Sequence, residues 1–213
     1  MSGGRSVEAA DWRDRVIDDG ADRDSWIAAR SFRIGASDAA KFAKIESADK
    51  YADAKLKPRS FFGNEKTENG HTWEDGLTME CGVPPSKALI GAPGNDGFAA
   101  TPDGLLELPD GSLRLAEAKV KHNKIVTGPS VGEWRQLAWQ FVCLPEAVET
   151  YFIWAEVVQN ERGDWVLRRD GVKRLLVPFD HPKIIAAREL IVPIAHQVLE
   201  RLQAAHEFER SLE

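Results

Sequence analysis

Apolar and polar positions change their period several times along this chain, and each change marks an element. Residues 22–30 predict a helix capped by Asp22 or Asp24, with Trp26 and Arg30 one turn apart. Ser37 suits the N-cap of a short helix running to residue 45, and Ser47 that of another toward Lys57. Residues 65–80 predict a longer helix that stops at Gly82 and is weakened in the middle by Gly70. Strand alternation begins at residues 88–92 and returns at 98–101. Two further strands, residues 105–108 and 112–120, flank the turn signal Pro109-Asp110-Gly111 and predict a hairpin. Residues 133–144 carry a helical stripe of Trp134, Leu137, Phe141 and Leu144. Residues 150–158 have strong strand character. Residues 165–168 and 172–177 read as a hairpin around Asp170-Gly171. A long helix follows from Asp180, with Pro193 as a kink or break. Helices, three or four strands, a helix, a strand, a strand pair and a helix make an α/β or α+β fold in one domain. Residues 1–20 form an N-terminal extension, partly frayed, with Gly and Ser frequent at its start.

The predicted hairpin carries the chemistry. Thirteen residues lie between Asp103, in Thr101-Pro102-Asp103-Gly104, and Glu117, in Glu117-Ala118-Lys119. If the turn centres on Asp110, Asp103 faces Glu117, with Cβ atoms about 4.5–5.5 Å apart. Lys119, two residues on, shares that face. Two carboxylates then converge on one hard cation with an ammonium beside them. A two-residue loop at Asp110-Gly111 would instead turn Glu117 to the other face. Asp-Gly is also an ordinary turn pair, and Glu-x-Lys an ordinary solvated strand pattern.

The wider composition narrows the class. With 213 residues, 43% of them hydrophobic, the chain can bury one substantial core. It has no apolar run of membrane-spanning length and no N-terminal signal pattern, so a soluble, cytoplasmic protein without a membrane partner is expected. Two cysteines, Cys81 and Cys143, are too few for a four-thiolate cluster, and the five histidines show no metal-ligand spacing, so zinc chemistry is not expected. The net charge of −6 argues against a protein that coats nucleic acid but not against a nuclease, whose acids cluster at a metal site. Between Arg114 and Lys124, Arg114, Lys119, Lys121 and Lys124 stand against Glu117 alone, which suggests a positive rim suited to a phosphate substrate or else a solvated strand end.

Four blocks in order, within residues 26–154, resemble the lambda-exonuclease/YqaJ-like viral recombinase group of PD-(D/E)XK nucleases. The first is Trp26-Ile27-Ala28-Ala29-Arg30 followed by Ile34-Gly35-Ala36-Ser37-Asp38. By resemblance, Arg30 and Ser37 hold the 5′-terminal phosphate of DNA, work suited to a guanidinium and to a hydroxyl at a helix start. The second is Gly70-His71-Thr72-Trp73-Glu74, whose Glu74 faces the metal site. The third is the hairpin motif, in which Asp103, Glu117 and the Ala118 carbonyl bind magnesium and Lys119 serves catalysis. Here Thr101 stands for the usual serine and Ala118 for a larger apolar residue. Asp96 is a further upstream acid at uncertain spacing. The fourth is Gln136-Leu137-Ala138-Trp139-Gln140; both glutamines lie off the apolar stripe, and Gln136 fits the family position better.

The resemblance implies a restriction-endonuclease-like core, a central mixed sheet flanked by helices. It also implies a Mg²⁺-dependent enzyme, with Mn²⁺ a possible substitute, that digests duplex DNA ends in the 5′-to-3′ direction and leaves 3′ overhangs for phage-type recombination. A toroidal homotrimer and a single-strand annealing partner come with it. Asp103, Glu117, Lys119, Gln136 and Glu74 are then the catalytic set. The alternatives are a structure- or sequence-specific endonuclease on the same fold, and a non-catalytic DNA-end binding accessory protein.

Overall fold

A computed structural model describes residues 11–57 and 65–210, with side chains in the fourth helix described from Trp73. In chain order the elements are β1 (Val16–Asp18), α1 (Arg23–Ser31), α2 (Ala36–Ala39), α3 (Ala48–Leu56), α4 (Glu65–Glu80), β2 (Leu89–Ala92), β3 (Asn95–Ala100), β4 (Gly104–Glu107), β5 (Leu113–His122), α5 (Val131–Cys143), β6 (Ala147–Gln159), β7 (Trp165–Pro178) and α6 (Pro182–Arg210). The strands form a three-stranded sheet, β1-β2-β3, and a four-stranded sheet, β4-β5-β6-β7. In the second sheet β5 and β6 run parallel and the outer pairs antiparallel, with α5 as the crossover. This is the expected central mixed sheet flanked by helices.

The two faces of the second sheet are closed differently. Leu113, Leu115, Phe152 and Trp154 pack into the main core with α5 and α6, while Ala116, Ala118, Ile153 and Ala155 meet Leu77 of α4 and Val83. Alternate residues of β5 therefore serve opposite layers. The predicted stripe of α5 is buried as expected, and Trp139 is fully buried too, its indole N–H donating to the Ala99 carbonyl at 3.0 Å. That bond ties α5 to β3 and so joins the two sheets.

Two local expectations change. Ser37 does not cap α2. The helix is a single turn with Gly35 as N-cap and Ser37 inside it, because Asp38 takes the Gly35 N–H at 3.0 Å. Asp170-Gly171 is no hairpin turn: β7 runs through it as one strand. The β6–β7 register shifts there, Asp170 takes φ 57°, and a Cβ on Gly171 would lie 2.8 Å from the Glu156 carbonyl. The turn sits at residues 160–164, where the Asn160 side chain accepts from the Arg162 and Asp164 N–H groups at 2.9 Å each. Helix α6 continues through Pro193, which therefore does not break it. Residues 1–10 of the expected N-terminal extension lie outside the described residues. The rest of that extension is fastened: β1 pairs with β2, and Arg15 donates to the Gly91 and Cys143 carbonyls at 2.6 and 2.7 Å.

Candidate active site

The hairpin takes the register centred on Asp110. Gly104 faces Ala116, and Glu107 faces Leu113. The loop that sets this register has three residues. Gly111 N–H closes a turn on the Leu108 carbonyl at 2.9 Å with Pro109 in its second position, and Gly111 itself takes φ +83°. Continued one pair further, the register puts Asp103 opposite Glu117. Strand β4 has ended by then, and the Asp103 carboxylate replaces it, Oδ2 accepting the Ala118 N–H at 2.8 Å. The N–H and C=O of one strand residue point to the same edge, so the Ala118 carbonyl also lies on the Asp103 side. Gly104 is required there by packing. A Cβ would stand 2.9 Å from Val83 Cγ1 and 3.1 Å from the Pro84 carbonyl oxygen.

Glu117 is 1% exposed. Its Oε1 accepts from Lys119 Nζ and Gln136 Nε2, and its Oε2 from Gln140 Nε2. Both glutamines of the fourth block thus reach the carboxylate, one turn apart on α5. Both lie off the apolar stripe of α5, and each donates to a different oxygen of Glu117. Burial, and then the Glu117 charge, push the Asp103 carboxyl well above the usual carboxylate range. Burial pushes Glu117 up as well, with Lys119 and the Gln140 amide pulling it partly back. Burial alone would lower the Lys119 ammonium, but Glu117 first and Asp103 next outweigh it and hold its proton more tightly than in a free lysine. Glu74, on α4, adds its charge to the field on all three groups. Asp96 is exposed on β3.

This donor set suits a hard cation. It offers oxygen ligands only, with more negative charge than one ammonium balances. Among the described residues no three His, Cys, Asp or Glu side chains form a ready-made cage, and the carboxylates instead gather around Lys119. The expected positive rim is largely neutralised. Arg114 Nε donates to Glu149 at 2.6 Å, and Lys121 pairs with Glu133.

The first block also assembles. Arg30 donates to Ser37 Oγ, its guanidinium lies 5.0 Å from the Trp26 ring centroid, and its Nε would be 3.1 Å from a Cβ on Gly35. The glycine therefore lets the arginine cross the backbone next to Ser37. Asp38, beside them, is buried against Lys55 Nζ at 2.7 Å.

The sequence matches no protein-family model and no curated protein. Its fold, however, is that of a class of solved nucleases. The chain superposes on an alkaline exonuclease, LHK-Exo from Laribacter hongkongensis, with a TM-score of 0.61 and 17% identity, over 89% of this chain and 100% of that one. A second structure of LHK-Exo, in complex with dAMP, gives a TM-score of 0.57 and 19% identity over 89% of this chain and 100% of that one. The fold expected from the lambda-exonuclease resemblance is the fold observed.

Proposed function

We propose that this protein is a divalent-metal-dependent deoxyribonuclease, a 5′-to-3′ exonuclease that digests one strand of linear duplex DNA and leaves 3′ single-stranded overhangs. The observation that carries the proposal is the gathering of Asp103, Glu117 and Lys119 on one end of a hairpin, with Gln136 and Gln140 on the Glu117 oxygens. The fold shared with an alkaline exonuclease, one structure of which holds dAMP, supports it. Asp103, Glu117 and the Ala118 carbonyl would hold Mg²⁺ or Mn²⁺, with Glu74 contributing from α4. Such an ion, when bound, polarises a phosphoryl oxygen and lowers the pKa of a bound water. Lys119 acts as a protonated group, steadying charge on the phosphoryl oxygens or orienting the attacking water, because its neighbours raise its proton affinity. A general-base role would need the opposite shift. Gln136 steadies Glu117. Arg30 and Ser37 receive the 5′-terminal phosphate, Arg30 as a planar charged donor.

A toroidal homotrimer around the DNA, a single-strand annealing partner and a cytoplasmic location belong to the same proposal; light scattering of the purified protein tests the trimer. Among the described residues no helix is long and apolar enough to cross a membrane.

The deciding experiment is digestion of 5′-labelled and 3′-labelled linear duplex, beside covalently closed circles, with Mg²⁺ and with chelator. Loss of the 5′ label first, intact circles and no activity in chelator are expected. Cut circles would replace the proposal with an endonuclease, and end binding without cleavage in Mg²⁺ and Mn²⁺ would replace it with an accessory protein.

A further inference from the structure

Gln140 sits at zero exposure, one helical turn beyond Gln136, among buried Trp139, Phe141 and Cys143. Its amide nitrogen donates to Glu117 Oε2, while its amide oxygen is buried and meets no hydrogen-bond partner among the described residues. An apolar side chain of the same length would fill this place but leave Glu117 Oε2 without its donor, so the glutamine is explained by the carboxylate it serves and not by packing. The orientation of the amide is chemically set, because an ionised carboxylate accepts the NH₂ and repels the oxygen.

The donors divide unevenly between the two carboxylate oxygens. Oε1 accepts from both Lys119 and Gln136, whereas Oε2 accepts from Gln140 alone among the described residues. Each carboxylate oxygen offers two lone-pair directions. Oε1 is therefore saturated, and Oε2 keeps one direction open. Gln140 holds the oxygen that still has a lone pair to give.

We propose that Gln140 is a positioning residue for metal capture. It pins Glu117 Oε2 in one orientation, so that the open lone pair is presented to a divalent cation without a search over carboxylate rotamers. The assignment rests on the metal-dependent nuclease proposed above. It is distinct from the role of Gln136, which shares the saturated oxygen with Lys119. Partners that orient a ligand from behind are worth about 10–100-fold in metal affinity.

The test is titration of Mn²⁺ into the full chain without DNA, reading free Mn²⁺ by its paramagnetic resonance signal. Wild type is compared with Gln140→Met, which keeps length and loses the donor. Thermal unfolding in chelator checks that the variant is folded. Mn²⁺ affinity is expected to fall about tenfold or more, with the unfolding midpoint in chelator lowered because Glu117 Oε2 loses its donor, and with cleavage partly restored at saturating Mn²⁺. Should Gln140→Met not fold, Gln140→Asn withdraws the same amide by one methylene and is read in the same titration. Affinity within about twofold of wild type in a folded variant overturns the assignment, since orienting partners are worth more than that. Wild-type protein that binds no Mn²⁺ brings down the nuclease proposal itself, whereas wild type that binds Mn²⁺ beside an equally competent variant removes the role of Gln140 alone.

Discussion

Replacing Asp103 by asparagine separates the stability of this site from its function. The hairpin register places Asp103 and Glu117 opposite each other, at about 5 Å between side chains. Two like charges at that separation repel by about 3 kcal/mol at an effective dielectric of about 20. Lys119 offsets part of this, and Asp103 keeps some contact with solvent, which screens more of it. Asparagine keeps an oxygen for the Ala118 N–H and removes both the charge and its desolvation. In chelator at neutral pH, Asp103→Asn should therefore be more stable than wild type by about 1–2 kcal/mol, a rise of about 2–8 °C in midpoint for a chain of this size. The sign with pH follows from the raised Asp103 carboxyl. Its contribution to folding is fully present below the ordinary carboxylate range and is lost as pH rises through its value in the folded protein. The advantage of the variant should accordingly vanish at acid pH. Adding Mn²⁺ should reverse the order, since wild type gains about 2.7 kcal/mol at a hundred times its dissociation constant and the variant little. Thermal unfolding across pH, with and without Mn²⁺, measures all of this. A variant less stable than wild type in chelator, or one with the same advantage at every pH, refutes the like-charge account.

Other substitutions probe the neighbouring parts. Lys119→Ala should lower cleavage about 10²–10³-fold while Mn²⁺ still binds, and full activity would exclude Lys119 from the chemistry. Arg30→Ala should erase the preference for 5′-phosphorylated over 5′-hydroxyl ends; equal loss on both would deny Arg30 its phosphate. Gly104→Ala forces a Cβ against Val83 and the Pro84 carbonyl and should cost about 1–3 kcal/mol, with a drop in cleavage as Asp103 is displaced; a neutral result in unfolding scans would contradict that packing. Burial alone would raise the Asp38 carboxyl, but Lys55, the Gly35 N–H and Arg30 together outweigh it and hold it below the usual range, so its stabilisation is present above the ordinary carboxylate value and lost as pH falls through the folded one. Asp38→Asn removes the charge that faces Lys55 Nζ at 2.7 Å and should cost about 1–3 kcal/mol; a variant that unfolds at the wild-type denaturant midpoint would show the pair to be dispensable.

Much of this protein is legible in its amino-acid sequence, because its strongest signals are local. The period of Trp134, Leu137, Phe141 and Leu144 demands a buried helix face, and α5 buries it. Pro109-Asp110-Gly111 announces a turn, and alternation in β5 puts Glu117 and Lys119 on one face whatever the partner strand. Local signals leave open the count of loop residues. Gly111 at φ +83° supplies the third, and that one residue keeps Asp103 on the side of Glu117. Asp170-Gly171 misleads for the same reason in reverse: a residue pair that makes a turn in isolation makes a bulge when the neighbouring strand supplies pairing on both sides of it. Ser37 looks like a cap by its hydroxyl, yet Asp38, buried beside Lys55 from another helix, caps the turn at Gly35, two residues earlier. Sequence alone determined which residue types were present and which face of their own element they occupied. Only tertiary structure decided that α5 lies over β5 with both glutamines on Glu117, and that three charges from one hairpin share a buried corner with a fourth on α4. Side-chain period is a property of a few bonds, whereas the distance between elements is set by how the whole core packs.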